Sequence, residues 1–245
     1  MTKLCAFIAS HLTKYRMITI KQAINSIDEC VEKAKSNLIN VYLSYSYEEV
    51  IYNELDQLEI ELRKNKNVNI IFYRHNQKKL QFEHFKYIID INTFDEDEWV
   101  MFLDDDDICV NSRIKRFLSY QRKYNDINVF GSYIIRIERS NIIKNPYSLL
   151  NLIKIPESAK HEITDFATIF VKIKIIKEFF NIYNEPYNFY TDCFFSVFVR
   201  QKNYYLINEY LYMVRTRMFT TEEQFIDLYN LHTSTTFQQQ SLICT

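Results

Sequence analysis

Trp99-Val100-Met101-Phe102-Leu103-Asp104-Asp105-Asp106-Asp107 is the stretch that decides how this 245-residue chain is read. Five large apolar residues in a row predict a strand buried on both faces, because a half-buried strand alternates with polar residues. The strand runs straight into four carboxylates. Adjacent Asp side chains repel one another and hold their protons more tightly unless a cation or solvent relieves the repulsion. An acidic run is by itself usually a solvated loop. At the lip of a buried strand it favours a divalent ion held by hard oxygen ligands, or a phosphate site.

Upstream of this stretch, short apolar runs at 4–9, 39–43 and 68–72 predict three more strands. Ile20, Ala23, Ile24, Ile27, Val31 and Ala34 recur at helical spacing and predict a helix over 19–36. Val50, Ile51, Leu55, Leu58 and Leu62 mark a second helix, and 80–91 a third. Strands alternating with helices give three successive crossover units of roughly 30 residues. Right-handed crossovers then produce a parallel sheet covered by helices. Ligands of such sheets bind beyond the carboxyl ends of the strands, where strand order reverses. The residues expected there are Ser10 and His11, Ser44 and Ser46, Arg74, His75 and Asn76, and the aspartates.

Downstream, 113–124 reads as a basic amphipathic helix whose Arg and Lys residues form a solvated face. Residues 129–137 and 167–173 read as strands, separated by an irregular segment with Pro146 and Pro156. A helix over 190–200 and one or two strands over 204–215 follow. No repeat or linker interrupts the chain, so one α/β domain over 1–236 is expected, with 237–245 as a frayed tail after Gln238-Gln239-Gln240.

Composition narrows the function. The formal net charge is -1, so no basic field points to nucleic acid. No apolar run reaches the roughly 20 residues that span a bilayer, and no secretory leader is recognised, so a soluble, cytoplasmic protein is expected. Five cysteines, an odd and scattered set, fit neither a disulfide framework nor a zinc site and suggest reduced, mostly buried thiols. The single glycine, Gly131, excludes the Walker A loop, the dinucleotide fingerprint and an EF-hand loop, all of which need glycine at defined turns.

With these elements in place, the chain resembles a GT-A-type glycosyltransferase, most similar to family 2, from about Leu4 to Thr221. Phe102-Leu103-Asp104-Asp105-Asp106-Asp107, followed by Asn111 and Arg113, resembles the family's apolar strand and D-x-D-D motif. Ser10-His11 with Ala23-Ile24-Asn25-Ser26-Ile27 is similar to its opening strand and helix, and Leu211 to Arg217 to a late strand. Thr191-Asp192-Cys193-Phe194-Phe195 falls where the family carries a Glu-Asp catalytic pair.

The resemblance implies a GT-A, Rossmann-like domain with a nucleotide-sugar-binding half at 1–110 and an acceptor and catalytic half at 111–236. It implies a hexosyltransferase-like enzyme moving a sugar from a nucleotide-diphosphate donor to a glycan or other hydroxyl acceptor, with inversion. Asp104 and Asp106 would hold Mn2+ or Mg2+ on the diphosphate, with His232 as a further ligand, and Asp192 would be the general base. Donor contacts would come from Ser10, His11, Ser44, Gln81, His84, Asp104, Asp105, Arg215 and Arg217. Ser44 and Ser46 stand where relatives have a base-contacting Asp, Thr191 replaces the Glu of the pair, and Arg217 stands where many relatives have a His. Acceptor sensing is expected in 142–163, with His161, Glu162 and Asp165 as further candidates. Two other functions remain compatible with the residues: sugar-phosphate nucleotidyl transfer, for which Thr13-Lys14-Tyr15-Arg16 is a poor triphosphate loop, and a non-catalytic relative that binds a nucleotide or glycan.

Overall fold

All four residues of β4 (Trp99–Phe102) are buried, as an apolar run without alternation requires. The computed structural model describes residues 2–138, 166–183, 187 and 191–216, and β4 lies at the centre of its sheet. It pairs in parallel with β1 (Leu4–Leu12), Leu4 opposite Trp99 and Phe7 opposite Phe102. On its other side β1 pairs in parallel with β2 (Ile39–Tyr47), and β2 with β3 (Val68–His75). Strand order therefore reverses between β1 and β4, which opens a crevice at their carboxyl ends.

Past β4 the sheet becomes mixed. It continues through β7 (Phe170–Lys172), β6 (Val129–Glu138), β8 (Tyr204–Thr216) and the short β5 (Ile108–Cys109). β7 runs antiparallel to both β4 and β6, β6 is parallel to β8, and β5 is antiparallel to β8. Three parallel pairings on one side and the β6–β8 pairing make the sheet mostly parallel, as the crossover pattern requires.

The helices are α1 (Lys14–Ala34), α2 (Leu55–Leu62) after a 3-10 turn at Glu49–Glu54, α3 (Gln81–Ile91), α4 (Arg113–Lys123), α5 (Ile173–Ile182) and α6 (Thr191–Arg200). Their apolar faces close on the sheet through aromatic contacts. The Phe102 ring meets Phe85 of α3 at 5.1 Å, Phe166 at 5.8 Å and Phe195 of α6 at 5.6 Å. Those contacts bring the start of α6 to the end of β4.

Several boundaries move from the sequence-based expectation. α1 begins at Lys14, ahead of the 19–36 span, because the Thr13 hydroxyl accepts the Arg16 N–H and Tyr15 and Met17 are buried. β2 and β3 run on to Tyr47 and His75, so Ser44, Ser46, Arg74 and His75 are strand residues rather than loop residues beyond it. The expected strand over 167–173 is a 3-10 turn, Phe166–Thr168, then three residues of β7, then α5. There the buried Ile173, Ile176 and Phe180 follow helical spacing. One long β8 replaces the one or two strands expected over 204–215.

Arg113 overturns the reading of 113–124 as a wholly solvated basic face. It is fully buried between the Phe170 and Tyr212 rings, 5.0 and 4.9 Å from their centroids. Its Nη1 donates to Phe102 O and its Nη2 to Ala167 O. The thiols of Cys5, Cys30 and Cys109 are buried and Cys193 is exposed. Although far apart in sequence, Cys30 and Cys109 lie in contact, Sγ to Sγ 3.0 Å. The tail 237–245 and the segment 142–163 lie outside the described residues.

Candidate active site

Continuing the β1–β4 register past Phe7 and Phe102 sets Ser10 level with Asp105. The Ser10 hydroxyl donates to Asp105 Oδ2. Arg16, in the first turn of α1, closes on the same carboxylate with Nη1 2.7 Å from both oxygens. Burial pushes the Asp105 carboxyl above its ordinary value and Asp106 adds to the rise, while Arg16 and Ser10 oppose it. Asp105 is thus committed to the protein's own groups.

The other aspartates are aimed differently. Asp104 Oδ1 accepts from Gln81 Nε2 at 2.7 Å, which ties the end of β4 to the start of α3. The Tyr212 hydroxyl accepts the Asp104 N–H and donates to Asp107 Oδ2. Burial and then Asp107 push that phenol well above its ordinary value, so it stays protonated and able to donate. Asp107 N donates to Asp104 O at 3.2 Å, closing the turn.

A cavity of about 620 Å3 opens at the β1–β4 crevice. Ser10, His11, Gln81 and His84 line it, as do Asp104, Asp105, Asp106 and Asp192. Residues expected from four separate parts of the sequence therefore meet in one place. Asp192 sits in the first turn of α6 and accepts the Cys193 N–H at 2.7 Å through Oδ1.

Ser44 does not line the cavity. It is fully buried behind it, its Oγ 2.8 Å from both His84 Nδ1 and His75 Nε2. His11 Nδ1 lies 3.0 Å from Ser46 Oγ in a second pair of the same kind. Arg215 is placed only as a β8 register position opposite Ile137. Arg217 and His232, together with His161, Glu162 and Asp165, lie outside the described residues.

Sequence reasoning passed over Lys78 and Lys79 as cavity residues and met Arg16 only in a poor triphosphate loop. The lysines follow β3 and precede α3, and the crossover pattern that pointed to Arg74, His75 and Asn76 points one step further to them. The pairing of Arg16 with Asp105 had no such signal. Only the fold sets the first turn of α1 against Asp105.

Three solved structures share this architecture. S. aureus TarS 1–349 aligns over 87% of the chain with a TM-score of 0.60 at 13% identity. The same protein in complex with UDP-GlcNAc aligns over 91%, with a TM-score of 0.58 at 12% identity. Mannosyltransferase PcManGT from Pyrobaculum calidifontis, in complex with GDP-Man and Mn2+, aligns over 94% with a TM-score of 0.57 at 9% identity. The chain has the GT-A fold.

No protein-family model matches the sequence, and no curated protein matches it significantly. The chain spans 60–61% of the length of these TarS and PcManGT chains. Among the described residues no helix is long and apolar enough to cross a membrane. Also among them, no group of three or more His, Cys, Asp or Glu side chains is arranged to hold a metal ion. The GT-A crevice here presents Asp104 and Asp106, two hard oxygen donors in one cavity. That set fits a small hard cation taking its remaining ligands from phosphate and water, for which one or two protein carboxylates suffice.

Proposed function

We propose that the chain is a metal-dependent glycosyltransferase that moves a sugar from a nucleotide-diphosphate sugar to an acceptor hydroxyl with inversion. One observation carries the reading: Asp104 and Asp106 at the end of β4 and Asp192 at the start of α6 line the same cavity, with Lys78 and Lys79 on its wall. The TarS complex with UDP-GlcNAc and the PcManGT complex with GDP-Man and Mn2+ place nucleotide sugars on this fold in other proteins.

Asp104 and Asp106 would hold Mn2+ or Mg2+, which supplies Lewis-acid stabilisation of charge on a departing diphosphate. Gln81 fixes the Asp104 carboxylate through its Oδ1 and so sets its direction. Lys78 and Lys79 bring positive charge to the wall on which phosphate oxygens would lie. Asp192 would take the proton from the acceptor hydroxyl as it attacks the anomeric carbon. A single displacement by that hydroxyl inverts the anomeric configuration. The nucleotidyltransfer alternative needs an uncommitted cationic loop after β1, and Arg16, its best candidate, is locked on Asp105.

The test is a panel of nucleotide sugars and simple hydroxyl acceptors with Mn2+, following release of the nucleoside diphosphate. Asp106→Ala should abolish turnover and weaken nucleoside diphosphate binding while leaving the far-ultraviolet circular dichroism unchanged. Asp192→Asn should abolish transfer and keep that binding. Full activity of Asp106→Ala would rule the assignment out.

A further inference from the structure

His84 is 1% exposed, lines the cavity, and its Nε2 has no hydrogen-bond partner among the described residues. A buried ring nitrogen left unpaired costs stability unless water or a ligand completes its bonding, and His84 has the cavity beside it from which a ligand can do so. Its surroundings decide which part of a ligand that is. Burial, with His75, Lys79 and His11 nearby, lowers the His84 pKa to about 3, so the ring is neutral and offers no charge to a phosphate. Of the cavity's cations, Arg16 is held on Asp105 and Lys78 and Lys79 lie in the loop before α3, while the floor at the ends of β1 and β2 carries the pairs His11–Ser46 and His84–Ser44.

Spacing agrees with that division. β2 is separated from β4 by β1 alone. Neighbouring strands lie about 4.8 Å apart, so the end of β2 is about 10 Å from the end of β4. That is about the reach from a diphosphate held at Asp104 and Asp106, across a ribose, to the heterocyclic base.

The Ser44 hydroxyl has one proton and lies 2.8 Å from two imidazole nitrogens. When the hydroxyl proton is used within these two bonds, one nitrogen carries hydrogen and donates to Oγ while the other accepts the O–H. When His84 Nδ1 donates, Nε2 is a bare acceptor and His75 carries its proton on Nδ1. When His84 Nδ1 accepts, Nε2–H is a donor and His75 Nε2–H donates to Ser44. Both states hold the same number of protons and the same two bonds.

We propose that His84 Nε2 hydrogen-bonds the nucleobase of the bound donor, and that Ser44 and His75 let it act as either donor or acceptor, so that the site accepts more than one base. This inference rests on the nucleotide-sugar reading of the cavity. A uracil ring N–H meets the bare nitrogen, and a cytosine ring nitrogen meets Nε2–H.

The experiment measures binding of UDP, CDP and inorganic pyrophosphate, each with Mn2+, to the full chain and to its His84→Leu and Ser44→Ala variants. It also records the imidazole 15N resonances of His84 in the UDP and CDP complexes. The proposal expects UDP and CDP affinities within about tenfold of each other and opposite His84 tautomers in the two complexes. It expects at least tenfold weaker binding of both in His84→Leu with pyrophosphate unchanged. Ser44→Ala removes the bond that balances the two tautomers and leaves the ring to the one its other surroundings favour, so it should widen the gap between the two bases. A preference beyond a hundredfold in the wild type, one tautomer in both complexes, or equal loss of pyrophosphate in His84→Leu overturns it. If the wild type binds neither nucleotide, the nucleotide-sugar reading itself fails; if it binds both and His84→Leu changes nothing, only the role of His84 does.

Discussion

The hydroxyl of Tyr212 donates to Asp107 Oδ2 at 2.9 Å and accepts the Asp104 N–H at 3.1 Å. A residue of β8, 105 positions on from Asp107, thereby closes both ends of the aspartate turn. Arg113, lying over the same ring, ties it to the carbonyls of Phe102 and Ala167. The backbone of the aspartate turn is thus held by the far half of the chain.

Tyr212→Phe keeps the ring and its packing but strands the Asp104 N–H and removes the proton given to Asp107. The expected cost is about 1–3 kcal/mol in global stability. Mn2+-dependent nucleoside diphosphate affinity should fall as well, because the turn loses its outer tie. Urea unfolding and titration calorimetry measure the two effects; an unchanged affinity would show that the turn holds its shape without the hydroxyl.

Arg16 and Asp105 should couple strongly. Arg16→Gln leaves a buried carboxylate with the Ser10 hydroxyl still bonded to it but no cation beside it, and is expected to cost about 3–5 kcal/mol. Asp105→Asn should cost less, since Arg16 is partly exposed and keeps water. The double variant should recover part of the Arg16→Gln loss. Urea midpoints for all four proteins complete the cycle, and simple additivity would contradict the clamp.

Stability should also fall in acid through His84. Burial holds its pKa at about 3, whereas an unfolded histidine titrates near 6.5. Between those values the unfolded chain takes up the proton and the folded chain does not, so stability drops as pH falls from about 6.5 towards 3. Above that window the group contributes no pH dependence. His75, also lowered by burial, acts in the same direction. His84→Asn should flatten the slope of unfolding free energy against pH by up to about 1.4 kcal/mol per pH unit. An identical slope in the variant would contradict the burial of that ring.

Gly131 is needed for space rather than for backbone freedom. A Cβ built there lies 2.0 Å from the Tyr204 hydroxyl, and Gly131 has no positive φ. Gly131→Ala should displace the Tyr204 ring and cost about 1–3 kcal/mol. Made in a Tyr204→Ala background, the same Gly131→Ala change should cost less than it does opposite the intact tyrosine. Thermal unfolding of the set measures this, and an equal cost in both backgrounds would contradict the clash.

Local signals along the chain were enough to place the parallel half of the sheet, the carboxylates at the end of β4 and the rim on which they meet Ser10 and His11. An apolar run without alternation, helical periodicity and crossovers of one hand are all properties of neighbouring residues. Which aspartate the protein keeps for its own ion pair is a different matter, and the packing of distant elements settles it. Asp104 and Asp105 are chemically identical neighbours, yet Arg16 and Ser10 claim one and Gln81 holds the other. The burial of Arg113 and the support that Ser44 gives His84 from behind have the same origin. Each depends on a side chain brought from a remote strand or helix, and the pairing energy lies in a contact that no spacing along the chain records.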